Sequence, residues 1–195
     1  MPTTSLSLLA RARHSSDSES WNRLAALYTP LLRRWLRTYD VQDADADDLI
    51  QEVLAVVARD LATFDHHEHH GAFRGWLRRI LVNRLREHWR RRNYQPEATG
   101  RTDFRRQLEE LVDEGSGASG IWNREHDEFV MKRLLEIVEP QFEPGTWRAF
   151  RRQVIDGQRA DAVAEELGMS RAAVYMAKSR VLQSLRRESA GLIDL

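Results

Sequence analysis

A chain of 195 residues with 30 Lys+Arg, 30 Asp+Glu and no cysteine is long enough to bury one core or two small ones. The lack of cysteine excludes a disulfide scaffold and a thiolate metal site. No apolar run approaches a membrane span, and the start MPTTSLSLLARAR lacks the order of charge, apolar core and cleavage site of a signal peptide, so a soluble cytoplasmic protein is expected.

Read in chain order, the sequence predicts helices and almost no strand. Leu24, Leu27, Tyr28, Leu31, Leu32, Trp35 and Leu36 form a broad helical stripe over 21–37, with Pro30 marking a kink or a restart. A second helix is expected over 45–61. Its charges up to Glu52 are all acidic (Asp45, Asp47, Asp48, Glu52, after Asp43), which suits the positive end of the helix dipole. A third begins near Phe73 and continues past Trp89, burying Trp76, Leu77, Ile80, Leu81 and Leu85. There the sign reverses, with eight arginines between residues 73 and 94 against Glu87 alone. Segregated charge within a neutral chain implies two partners of opposite preference. From 94 to 120 the periodicity fails, and Pro96, Gly100 and the run GSGASG at 115–120 read as a linker holding a short helix at 104–112. Helix resumes over 125–138 and again over 146–155.

The segment 159–187, RADAVAEELGMSRAAVYMAKSRVLQSLRR, reads as two helices joined by a tight turn. Ala162, Val163 and Leu167, then Val174, Ala177, Val181 and Leu185, give each helix one apolar face. Gly168 suits a left-handed reversal and Ser170 can cap the second helix. That helix carries bases and no acid. Ala172, Tyr175, Met176, Ser179, Gln183 and Arg186 lie on its free side, and Arg171, Lys178, Arg180 and Arg187 supply cations for phosphates, the pattern of a helix that reads duplex DNA. A helical hairpin with a merely solvated basic face is the plainer alternative.

Three of these segments carry a family resemblance. DADDLIQEV at 45–53 resembles the D-A-E-D-L-V-Q-E-V signature of bacterial RNA polymerase sigma factors, particularly the small extracytoplasmic-function (ECF) group, and FRGWLRRILVN at 73–83 resembles that family's F-x-x-W-L-x-R-I-A-x-N helix. Phe64 stands where the family has an aromatic before a loop, and 162–187 resembles its second domain. The resemblance implies an all-α fold of two small helical domains joined by a flexible linker: an extension at 1–20, a region-2-like domain at 21–94, a linker at 95–124, a region-4-like helix-turn-helix domain at 125–188 and a tail at 189–195. It implies that Asp48, Gln51 and Glu52 face the polymerase clamp, with Leu49, Val53 and Val56 turned inward. It implies that Asn83 reads an extruded base of the minus-ten element between Phe64 and Ile80, with Arg84, Arg86 or Arg90 holding the strand. The minus-thirty-five duplex falls to Arg171, Ala172, Tyr175, Met176, Ser179, Arg180 and Arg187. Tyr175 and Met176 depart from the basic or small polar residues of many members, so the preferred DNA sequence does not carry over.

The partners implied are core RNA polymerase, promoter DNA both duplex and single-stranded, and in some settings an anti-sigma protein; no cofactor, membrane insertion or small-molecule substrate is expected. The linker's acidic second half (Glu109, Glu110, Asp113, Glu114) is either a passive tether or, as in relatives, the occupant of a basic polymerase channel. Trp76 reads as core, and Trp89 as either core or a base-stacking platform. The cluster His66-His67-Glu68-His69-His70 has metal-ligand chemistry but no matching distant ligand set. No nucleophile arrangement or phosphate-binding glycine loop points to catalysis. The competing readings are a dimeric helix-turn-helix regulator acting without polymerase and, more weakly, a histidine-dependent metalloenzyme.

Overall fold

The computed structural model describes residues 7–13, 18–39, 41–64, 71–91 and 100–193, with backbone alone for 100–105. Among the described residues every regular element is helical: α1 (Leu8–Ala12), α2 (Ser18–Arg37), α3 (Asp43–Asp60), α4 (Ala72–Arg91), α5 (Gly100–Val112), α6 (Gly117–Val138), α7 (Pro144–Phe150), α8 (Ala160–Leu167) and α9 (Arg171–Ser189). No described helix is long and apolar enough to cross a membrane.

The front unit forms as its periodicity predicts. All seven apolar positions of the α2 stripe are buried, and α2 runs through Pro30 without a break. A proline inside a helix forfeits a backbone hydrogen bond; here Leu31, Leu32, Trp35 and Leu36, all buried on the turns beyond it, offset that loss. Leu49 and Val53 of α3 and Phe73, Leu77, Leu81 and Leu85 of α4 complete the interior, with Val56 and Trp76 packed at its edge. α3 lies between α2 and α4.

Within the stretch expected to be a loose linker over 95–124, the short helix expected at 104–112 is present as the end of α5, but its packing and the helix that follows depart from a loose tether. α5 buries Leu108 and Leu111, and α6 starts inside the GSGASG run. The local cause is a cap: Ser116 adopts an extended backbone and its hydroxyl accepts a hydrogen bond from the Ser119 N–H at 3.0 Å, satisfying one of the helix's orphan donors. The tertiary cause is Trp122, fully buried with its ring centroid 4.5 Å from that of Trp35 in α2.

One turn on, His126 is also fully buried and links three elements. Its Nδ1 lies 2.9 Å from an oxygen of Asp127, whose other oxygen accepts from Arg74 of α4 at 2.6 Å. Its Nε2 lies 3.1 Å from the Tyr28 hydroxyl of α2. A carboxylate can only accept, so Nδ1 carries the proton and Nε2 accepts from the tyrosine. Burial pushes the His126 imidazole below its ordinary range, against the hydrogen bond and charge of Asp127. Burial would raise Asp127, but the His126 hydrogen bond and the Arg74 charge outweigh it and hold the carboxyl low. A depressed histidine stabilises the fold above its unfolded value and withdraws that contribution as pH falls, because the unfolded chain takes the proton first. Wild-type protein is therefore expected to lose stability between about pH 7 and 5, starting near an unfolded histidine value of about 6.5. Glutamine at 126 should lower the neutral-pH stability and flatten that slope, as read by urea midpoints across the range.

The back unit has its own small core of Ala149, Ala160, Val163, Ala164, Val174 and Ala177. Ala162, expected on the inner face of α8, is exposed, and Ala164 takes its place. α9 continues beyond this core to pack on α6, α7 and α1. The terminal segments, read as an extension and a tail, contribute to the main interior through Leu8, Leu9, Leu192 and Ile193. Arg11 of α1 bonds the buried Glu188 of α9 at 2.8 Å, joining positions 177 residues apart.

Candidate nucleic-acid and protein interfaces

Two helices present the front surface. On α3, Asp48 and Gln51 are exposed and one turn apart, so they project side by side. Among the described residues Asp48 makes no ion pair, whereas Asp43 and Asp47 are held by Arg37 and Arg33 of α2. Glu52, grouped with Asp48 on sequence grounds, is half-buried and engaged: Arg91 reaches it at 3.1 Å and Arg84 at 3.9 Å, both from α4. The unpaired acidic face is thus smaller than the sequence implied.

α4 shows two kinds of arginine. Arg78 is 1% exposed, bonds Asn123 of α6 at 3.2 Å and is lowered from its ordinary pKa by burial. Arg74 is held by Asp127. These two belong to the α4–α6 junction. Arg84, expected to hold DNA, bonds Glu87 at 2.6 Å on its own helix, as well as approaching Glu52. Asn83, Arg86 and Arg90 are exposed, and the nearest acid to Arg90 stands 3.9 Å away. With Arg79 they fall at 79, 83, 86 and 90, a spacing that keeps them on one stripe of a helix with 3.6 residues per turn.

Beside that stripe, Phe64 stacks on Trp76 with centroids 4.5 Å apart and planes at 19°. Trp76, Ile80 and Asn83 follow at helical spacing along the same side of α4. Phe64 and Trp76 are only half-buried and Ile80 is 7% exposed. An exposed amide therefore stands at the end of an apolar, aromatic ledge, the chemistry that receives an unstacked base and reads its polar edge. Trp76 serves both as packing and as the floor under Phe64, a double role that its spacing alone did not reveal. The histidine cluster at 66–70 lies outside the described residues, and among those described no group of three or more His, Asp or Glu is arranged for a metal.

At the back, Gly168 closes α8 with φ +64°, the left-handed conformation its position demanded. Ser170 then caps α9, its hydroxyl accepting from the Ala173 N–H at 3.1 Å. Val174, Ala177, Val181 and Leu185 turn inward. Arg171, Ala172, Tyr175, Met176, Ser179, Arg180, Gln183 and Arg186 are exposed. Tyr175 and Met176 are 51% and 54% exposed, large apolar groups at the tip of a helix whose flanks are cationic. Arg187 differs from its expected role: it bonds Ser184 at 3.1 Å and Gln141 at 3.4 Å and lies 3.5 Å from Glu188. It positions the end of α9 and is only partly available to a phosphate.

Residues 24–94, which span most of α2 and all of α3 and α4, match the family model for sigma-70 region 2. No curated protein matches the chain.

Proposed function

We propose that the chain is a sigma factor of the extracytoplasmic-function kind, which binds core RNA polymerase and directs it to promoters without chemistry of its own. The region-2 match supports a sigma-70 family factor, a transcription-initiation component rather than an enzyme, and hence polymerase and promoter DNA as partners. The observation that carries the reading is the coincidence of that match with the front unit's two surfaces: the unpaired acid Asp48 beside the exposed amide of Gln51, and the Phe64–Trp76–Ile80–Asn83 ledge with its arginine stripe. Acid cannot approach DNA phosphates favourably but can dock on a basic protein surface, while the ledge suits a separated strand. The front unit then docks and opens the minus-ten element.

The turn-joined pair α8–α9 supplies a duplex reader of helix-turn-helix type for the minus-thirty-five element. Arg171 and Arg180 flank exposed side chains able to enter a major groove, with Tyr175 and Met176 suited to apolar contact with thymine methyl groups. A dimeric regulator acting without polymerase leaves the region-2 match and the α3 edge without a role.

Asn83→Ala tests strand opening. The variant should bind polymerase and the upstream duplex as wild type does, yet form fewer open complexes, because the amide matters only after the base has left the stack. Permanganate reactivity of unpaired thymines reads this; normal opening would move the pocket elsewhere on α4. Tyr175→Ala tests the duplex reader. It should cost about 1–3 kcal/mol at the preferred upstream element and relax the preference; an equal loss on all sequences would make Tyr175 a positioning residue.

A further inference from the structure

The exposed stripe of α4 has one position that is already occupied. Gly75, Arg79, Asn83, Arg86 and Arg90 fall within an arc of about 80° on a helix of 3.6 residues per turn. Arg79 is the cation nearest Asn83 on the N-terminal side, and its Nη2 lies 2.9 Å from a carboxylate oxygen of Glu114, in the turn between α5 and α6. The same oxygen lies 3.8 Å from the point where a side chain on Gly75 would begin. A carboxylate thus rests across the N-terminal end of the stripe, over its bare glycine and against its first arginine.

This placement is built, not incidental to a loose tether. Leu108 and Leu111 of α5 and Ser119 and Trp122 of α6 are buried on either side of the turn. The Ser119 hydroxyl donates to the Glu114 carbonyl at 2.9 Å, and the Gly115 N–H bonds Asp113 at 3.1 Å. The backbone carrying Glu114 is therefore fixed at both ends. The ion pair itself is open to water, with 59% and 67% of the two side chains exposed. An exposed pair is weak, so a phosphate can replace the carboxylate at small cost. Arg74 and Arg78, tied to α6 in part-buried contacts, do not have that freedom.

We propose that Arg79 is a further strand-positioning residue, and that Glu114 is an internal stand-in for the DNA phosphate it holds. The inference rests on the sigma reading of α4. Before DNA arrives, Glu114 masks Arg79 and lowers the affinity of the stripe for any polyanion. A single strand that seats its base at Asn83 delivers a phosphate to Arg79 and releases the carboxylate. The linker's acid thereby favours strands that can reach the base pocket over indiscriminate binding.

The test is binding of a fluorescein-labelled dT20 oligonucleotide to the full chain across a salt series. Glu114→Gln should tighten binding about two- to five-fold at low salt. Arg79→Ala should weaken it and flatten the log–log salt slope by about 0.7, the loss of one single-strand phosphate contact. In the Arg79→Ala background the Glu114→Gln gain should vanish. Glu109→Gln, which removes an exposed acid of the preceding helix α5 that makes no ion pair among the described residues, should change little. The proposal is overturned if Glu114→Gln binds as wild type does, if its gain persists without Arg79, if Arg79→Ala leaves the slope unchanged, or if no variant binds dT20. Association of the same proteins with core polymerase reports separately on the sigma reading, so failure of one is distinguishable from failure of the other.

Discussion

Trp122→Ala is expected to destabilise the protein by about 3–5 kcal/mol, the range for emptying a fully buried tryptophan site. The side chain has no solvent exposure and packs its ring on Trp35, so truncation leaves a cavity between α2 and α6 and removes an aromatic pair. Domains of this kind have a net stability of about 5–15 kcal/mol, and the variant should unfold at a much lower urea concentration. The loss should also loosen the His126–Asp127–Arg74 chain one turn away, and partial exposure of His126 should bring its folded value back toward the unfolded one and make the acid sensitivity shallower. A cost below about 1 kcal/mol, the level of a surface substitution, would mean that the segment beginning at Gly117 is only lightly attached to the front unit.

The second large effect concerns docking. Lysine at both Asp48 and Gln51 should cost several kcal/mol of polymerase affinity if those contacts are desolvated, because it sets like charge against a basic surface. Glu52, grouped with them on sequence grounds, is the poorer choice for this test. Its pairs with Arg91 and Arg84 tie α3 to α4, so a charge reversal there would perturb the fold and the docking surface together. Asp48 and Gln51 point to solvent, and their replacement should leave helicity by circular dichroism intact, with a small penalty from the helix dipole. A folded variant that still associates normally with polymerase would remove this edge from the docking site.

Much of the fold and of the candidate site was legible because strong periodicity coincided with strong local signals. The α2 stripe, the Gly168 reversal, the Ser170 cap and the inward set Val174, Ala177, Val181 and Leu185 all follow from spacing and turn chemistry. So does the exposure of Tyr175 and Met176, whereas Asn83 and Arg86 were singled out by family resemblance. The first two turns of the 117–138 helix, ahead of the expected start at 125, were hidden for a physical reason. The helix's buried stripe, Ser119, Trp122, His126, Val130, Leu134 and Val138, keeps helical spacing, but its first member is a serine inside a glycine-serine run and the next two, a tryptophan and a histidine, follow close behind, so composition outweighed period. Nor could sequence alone divide the α4 arginines. Arg78 and Arg86 look equivalent in the chain, yet one lies under α6 and the other faces water, a distinction made by tertiary packing. Leu8 and Leu9 were passed over because a five-residue helix has too little length to show a period.

The most direct measurement is promoter-specific run-off transcription with purified core RNA polymerase, paired with co-elution of the two components on gel filtration. The chain should co-elute with core and convert it from random starts to initiation at defined promoter sites, and the Asp48/Gln51 lysine variant should do neither. Failure of the folded wild-type chain to bind core, combined with tight operator-like binding to duplex DNA by itself, would contradict the sigma reading and favour a regulator that acts without polymerase.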